Sequence, residues 1–276
     1  MTGSLPVTVY FIYSMPRLRS ITVHGKPTEG RSLPPLITIE RHAAVLRVRM
    51  DAPRSNALTP ALATELTDAI LAAERDNSIA CIALLSGGRN YCTGADLGLL
   101  AAVGRDPLSA DHYDGLGQIY ELFCRMQAAA VPIVTGVGGR VYGAGINLAL
   151  ACDVRVVADD VDIRGFSVAQ VHPGGGHLRM LQRTLGLERA AAVALFGQAL
   201  DGESAVAAGF AYRRVPRAGL EDAVAALGAG VGEDTALARK VTASFRATAQ
   251  SSLTPEAAVL VERAAQLWSL RRRAGD

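Results

Sequence analysis

An α/β fold is what this sequence predicts, on three observations. Short apolar strands alternate with amphipathic helical runs, glycine-containing turns fall at strand-to-helix junctions, and the last third of the chain reads almost wholly as helix. Leu36, Thr38 and Glu40 alternate as a strand does, and residues 44–50 alternate again after a short turn, which suggests a hairpin. Thr59-Pro60 supplies an N-cap followed by proline at the first helical position, and the run 62–74 behind it is amphipathic. Residues 79–85 form a nearly continuous apolar strand of the kind buried on both faces. Strand, helix, strand implies a right-handed crossover. The pattern repeats with a helix over 113–128, a strand over 132–137, a turn at Gly138-Gly139, a helix from near Gly143 and a strand over 154–158. Helices are then expected over 179–185, 188–196, 202–208, 220–231, 235–249 and 255–271.

Residues 1–34 carry Pro, Gly, Ser and Arg without a sustained period and read as a flexible extension. The chain of 276 residues, half of them hydrophobic and a fifth charged, is long enough for one large core with an appendage. A formal charge of +2 offers no concentrated basic surface, so nucleic acid is not an expected partner. No apolar run approaches the roughly 18 residues of a membrane span, and the apolar stretch within 6–15 is a poor secretory signal, so a cytoplasmic protein is expected. Cys81, Cys92, Cys124 and Cys152 form no C-x-x-C pair and are expected as buried, reduced thiols.

Two turns carry the chemistry: Asn90-Tyr91-Cys92-Thr93-Gly94-Ala95-Asp96-Leu97, and residues 138–145, ending Tyr142-Gly143-Ala144-Gly145. Each exposes backbone amides at the start of a helix, and two such turns aimed at one point make an oxyanion hole. Asp96 also serves as the N-cap of a helix over 97–103. The first turn resembles the F-C-A-G-A-D-L signature of the crotonase (enoyl-CoA hydratase/isomerase) superfamily. The second, continued through Asn147-Leu148-Ala149-Leu150-Ala151-Cys152-Asp153, resembles its G-G-G-x-E-L-A-x-x-C-D stretch. Residues 51–58, His172-Pro173-Gly174-Gly175-Gly176 and segments near 197–201 and 207–210 resemble further family motifs, so the similarity spans about 36–215.

The resemblance implies a β-β-α spiral core over 35–215, a C-terminal helical trimerisation region over 216–276, and a homotrimer or dimer of trimers. It also implies an acyl-CoA thioester whose oxygen meets the amides of Ala95 and Ala144. Arg54, Ala57, Thr93, Gly94, Asp96, Leu97, Tyr142 and Gly143 are then expected to line the substrate site. No cofactor is implied beyond coenzyme A as part of the substrate. Gly143-x-Gly145 begins like a dinucleotide fingerprint, but Leu148 stands at its third glycine position.

The family pattern breaks at the two glutamates that hydratases use on water and on the α-proton. Their positions fall on Asn147 and on Phe166, or on Ser167 if a neighbouring gap shifts the second, and none of these is a conventional base. His172 is one candidate acid/base in their place, and His177, Asp111, His112, Asp114, Asp162 and Arg164 are others. A triple-glycine turn does not fix His172 and His177 as one helical face would, so no metal site is expected. The sequence thus predicts an acyl-CoA lyase or isomerase of doubtful hydratase activity, with a non-catalytic acyl-CoA-binding protein as the alternative.

Overall fold

The computed structural model describes residues 34–249 and 253–274, so the extension read over 1–34 lies outside the described residues except for Pro34. Ile37–His42 (β1) and Val45–Met50 (β2) form the expected antiparallel hairpin, turning at Ala43. A tight turn, Pro53–Asn56 (α1), follows, in which Arg54, Ser55 and Asn56 all have positive φ. Left-handed backbone costs an L residue about 1–2 kcal/mol. Buried Asn56 offsets that cost by accepting from Ala52 N–H at 2.8 Å and donating to the Tyr91 carbonyl at 3.0 Å.

Pro60–Arg75 (α2) starts where Thr59 Oγ1 accepts from Leu62 N–H, and it buries Leu62, Leu66, Ala69, Ile70 and Ala73. Full burial of each large aliphatic side chain contributes about 1.5–3 kcal/mol. Cys81–Ser86 (β3) pairs parallel to β2, which closes the crossover. Its alternate residues serve two cores: Ile82 and Leu84 face α2, while Cys81, Ala83 and Leu85 face a helix added much later in the chain.

Leu97–Arg105 (α3), Ala110–Ala128 (α4) and Ile133–Val137 (β4) come next, then Arg140–Tyr142 (β5), Ala144–Leu150 (α5), Val154–Ala158 (β6) and Asp162–Arg164 (β7). A 3-10 turn over Phe166–Ala169 leads to His177–Leu185 (α6), Leu187–Ala194 (α7), Gly202–Ala207 (α8) and Arg213–Val215 (β8). The main sheet runs β1-β2-β3-β4-β6-β8, parallel after the first pair, and β5 with β7 forms a separate two-stranded parallel sheet. Leu220–Val231 (α9) covers the second sheet face through Leu220 and Val224. Thr235–Thr248 (α10) and Pro255–Ala274 (α11) pack on each other.

Three expectations change. Helix α4 begins at Ala110 rather than Tyr113, so Asp111 and His112 stand on its first turn with Asp114 just beyond them. Cys124 is exposed on that helix, unlike the three buried thiols. Strands β5, β7 and β8 were not expected, because three residues are too few to show a period and their stability comes from distant partners.

Candidate active site

The turn after β3 is clamped from two sides. Leu58 N–H donates to the Gly94 carbonyl at 2.8 Å, and Asp96 N–H donates to the Leu58 carbonyl at 2.9 Å. Ala95, between them, makes a parallel bridge to Leu58, so strand alternation turns its own N–H away from that partner. On the other flank, Cys92 N–H donates to the Arg140 carbonyl and Tyr142 N–H to the Cys92 carbonyl, at 3.3 and 3.1 Å. Thr93 Oγ1 donates to the Arg54 carbonyl at 2.9 Å, tying the left-handed turn α1 to this one.

Glycine is what lets the two turns meet. Gly94 has φ +97°, and a Cβ there would lie 2.9 Å from the Tyr142 carbonyl oxygen and 3.6 Å from the Ala144 nitrogen. A Cβ on Gly145 would fall 2.3 Å from the Cys92 carbonyl oxygen. Ala144 is the first residue of α5, behind Gly143 with φ 50°, and first-turn amides have no partner within their own helix. The Ala95 and Ala144 amides therefore sit on adjoining turns, both outside the regular hydrogen-bond ladders.

Arg54, Asp96 and Leu97 border this place. Asp96 caps α3 by accepting from Leu99 N–H at 3.1 Å and pairs with Arg54 at 2.7 Å. The Leu99 amide and then the Arg54 guanidinium hold its carboxyl below the usual carboxylate range. Leu97 is exposed, and Ala57 is buried beside the Leu58 bridge.

Asn147, one turn into α5, is fully buried. Its Nδ2 donates to the Gly174 carbonyl at 2.8 Å and its Oδ1 lies 2.6 Å from His177 Nδ1. Phe166 meets the His177 ring edge to face, with centroids 4.8 Å apart. The two positions read as the family's glutamate positions are thus brought together through His177. Burial pushes the His177 pKa down to about 4.

His172 is exposed, and its Nδ1 contacts the Pro173 carbonyl at 2.8 Å. The structure places His177, not His172, on Asn147. The sequence offered both histidines as candidates, and burial is what gives His177 rather than His172 a side-chain partner. Asp162 accepts from Tyr142 Oη at 2.6 Å and from Arg164 Nε at 2.9 Å, so these three engage one another at the β5–β7 sheet. Burial, and after it the bond to Asp162, pushes the Tyr142 phenol up. Among the described residues, no group of three or more His, Cys, Asp or Glu side chains could hold a metal ion.

A mixed sheet built from β-β-α units, joined turns at 95 and 144 and a C-terminal helical region define the crotonase fold. The chain belongs to the enoyl-CoA hydratase/isomerase family, whose model matches residues 40–266. It is 35% identical over 224 residues to the probable enoyl-CoA hydratase EchA14 of Mycobacterium tuberculosis, covering 80% of this chain and 83% of that protein. The 2,3-dehydroadipyl-CoA hydratase of Escherichia coli is 31% identical over 178 residues, 63% of this chain and 66% of the relative. A Thermobifida fusca crystal structure in complex with acetoacetyl-CoA superposes with a TM-score of 0.76 at 25% identity, covering 86% of this chain and 96% of that one. An enoyl-CoA hydratase from a Polaromonas species shares the fold at a TM-score of 0.79 and 20% identity, over 87% and 93% of the two chains.

Proposed function

We propose that this protein binds an acyl-CoA thioester with its carbonyl oxygen between the amides of Ala95 and Ala144 and stabilises the enolate that forms there. The observation that carries the reading is the contact of the two turns, with Gly94 and Gly145 removing the side chains that would hold them apart. An enolate concentrates negative charge on the thioester oxygen, and preorganised donors favour that charge over the neutral ground state. Each such donor contributes about 2.7–4 kcal/mol to lowering the barrier. The family and the acetoacetyl-CoA complex of the Thermobifida relative support the ligand class. Arg54, Ala57, Thr93, Asp96, Leu97, Tyr142 and Gly143 are assigned to the binding site on the same ground.

Conventional hydration is expected to be slow. Both polar groups of the Asn147 amide are engaged by Gly174 and His177, and Phe166 has none. Losing general acid–base help costs typically about 10²–10⁴-fold per group. That same engagement favours a second reading, a protein that holds acyl-CoA without transforming it. The exposed apolar residues Phe245, Val259, Leu260, Leu267 and Leu270 on α10 and α11 support assigning 216–276 to a trimer interface.

Calorimetry with CoA and a series of acyl-CoAs, followed by mass spectrometry of the incubated thioesters, tests these readings. Binding with turnover is the expected result. Binding without turnover selects the second reading, and no binding to any CoA ester overturns both.

A further inference from the structure

His177 opens α6, yet its imidazole turns inward and is 1% exposed. Asn147 turns its Nδ2 to the Gly174 carbonyl and sets the acceptor Oδ1 2.6 Å from His177 Nδ1, so Nδ1 carries the proton. Nε2 is then a bare lone pair, and among the described residues nothing donates to it. Burial keeps the ring neutral, so this tautomer persists at physiological pH. Native interiors leave few such atoms, because a buried acceptor without a donor forfeits its hydration and gains nothing in return.

One side chain, Phe166, links the imidazole to the proposed thioester site. The Phe166 ring that meets His177 edge to face also lies beside Gly143, where a Cβ would be 3.8 Å from Phe166 Cε1. One phenyl ring therefore touches both the imidazole and the residue that precedes the Ala144 amide. It stands on a four-residue 3-10 turn between Gly165 and left-handed Gln170, and it is only partly buried. Nε2 is itself buried, so a ligand reaches it only when a neighbouring side chain moves.

We propose that His177 selects acyl chains that carry a hydroxyl, its Nε2 accepting the O–H hydrogen of a hydroxyacyl thioester whose carbonyl lies at Ala95 and Ala144. Asn147 is the positioning residue, fixing the tautomer that presents the lone pair. This inference rests on the acyl-CoA reading above. Nε2, a neutral acceptor with no hydrogen of its own, complements a hydroxyl donor and not the bare methylene of an unsubstituted chain.

The test is a pair of titrations, 3-hydroxybutyryl-CoA against butyryl-CoA, with the wild-type protein and with His177→Phe. Wild type is expected to favour the hydroxy ester roughly tenfold, the factor one neutral hydrogen bond supplies. His177→Phe keeps an aromatic ring and is expected to bring the ratio of the two affinities to about one, whatever it does to either affinity alone. In wild-type protein carrying 15N-labelled histidine, the Nε2 resonance is expected to move with the hydroxy ester and not with butyryl-CoA. Asn147→Leu is expected to average the two imidazole 15N shifts as the tautomer is released. Equal wild-type affinities with an unmoved Nε2 resonance overturn the His177 inference alone. So does a preference that survives in His177→Phe, which would leave a bound water as the partner of Nε2. Failure of both esters to bind overturns it together with the acyl-CoA reading.

Discussion

On one side of the candidate site the proposed donors are main-chain amides, at Ala95 and Ala144; on the other the surface is made by the side chains of Asn147, Phe166 and His177. The first side depends on backbone path, set by Gly94, Gly145 and the Leu58 bridge. Its function survives any change of residue that keeps that path. The second side depends on residue identity, and there the chain departs from the pattern its family resemblance implies. On the proposed reading, thioester binding rests on backbone path and proton transfer on side-chain identity, so the first can persist where the second is rebuilt.

The largest expected effect comes from reversing the departure. Restoring both carboxylates, N147E with F166E, is expected to raise crotonyl-CoA hydration by at least about 10²-fold over wild type in a steady-state assay. Unchanged activity in a folded double variant contradicts the placement of those two positions.

Next is the acid stability of the side-chain wall. The folded-state pKa of His177 is about 4 against an unfolded 6.5, so the unfolded chain binds the extra proton first. Stability is therefore lost as pH falls from 6.5 through 4, by an amount on the order of 3 kcal/mol, and the loss is complete below the folded pKa. His177→Phe has no such loss. Urea unfolding at pH 7.5 and pH 4.5 is expected to show the variant gaining on wild type at the lower pH, and parallel behaviour rules out a buried neutral imidazole.

The smallest effect belongs to the amide wall. Gly94→Ala adds a Cβ against the Tyr142 carbonyl at positive φ and is expected to cost about 1–3 kcal/mol of stability by thermal or urea unfolding. Its acyl-CoA affinity is expected to fall too, since the Ala95 amide moves with the turn. A variant as stable and as tight-binding as wild type separates the turn from the site.

Most of the frame was legible in the sequence. The N-caps at Thr59 and Asp96, the doubly buried strand β3 and α9 follow from local pattern, because each is specified by residues within its own window. The β5–β7 sheet was not, since neither strand is stable without the other twenty residues away. The two amide turns were legible as motifs. The bond from His177 to Asn147 was not, because it spans 30 residues and depends on how the Gly174-Gly175-Gly176 turn delivers α6. Asp162, one of the candidate acid/base residues, is engaged by Tyr142 and Arg164 through that same unforeseen sheet.

The central claim is that two backbone N–H groups grip one thioester oxygen, and isotope-edited infrared spectroscopy reads that grip directly. With butyryl-CoA carrying 13C at its thioester carbonyl, the account predicts a bound-state C=O stretch shifted well below its frequency in water. A bound carbonyl that absorbs where the free one does would contradict it.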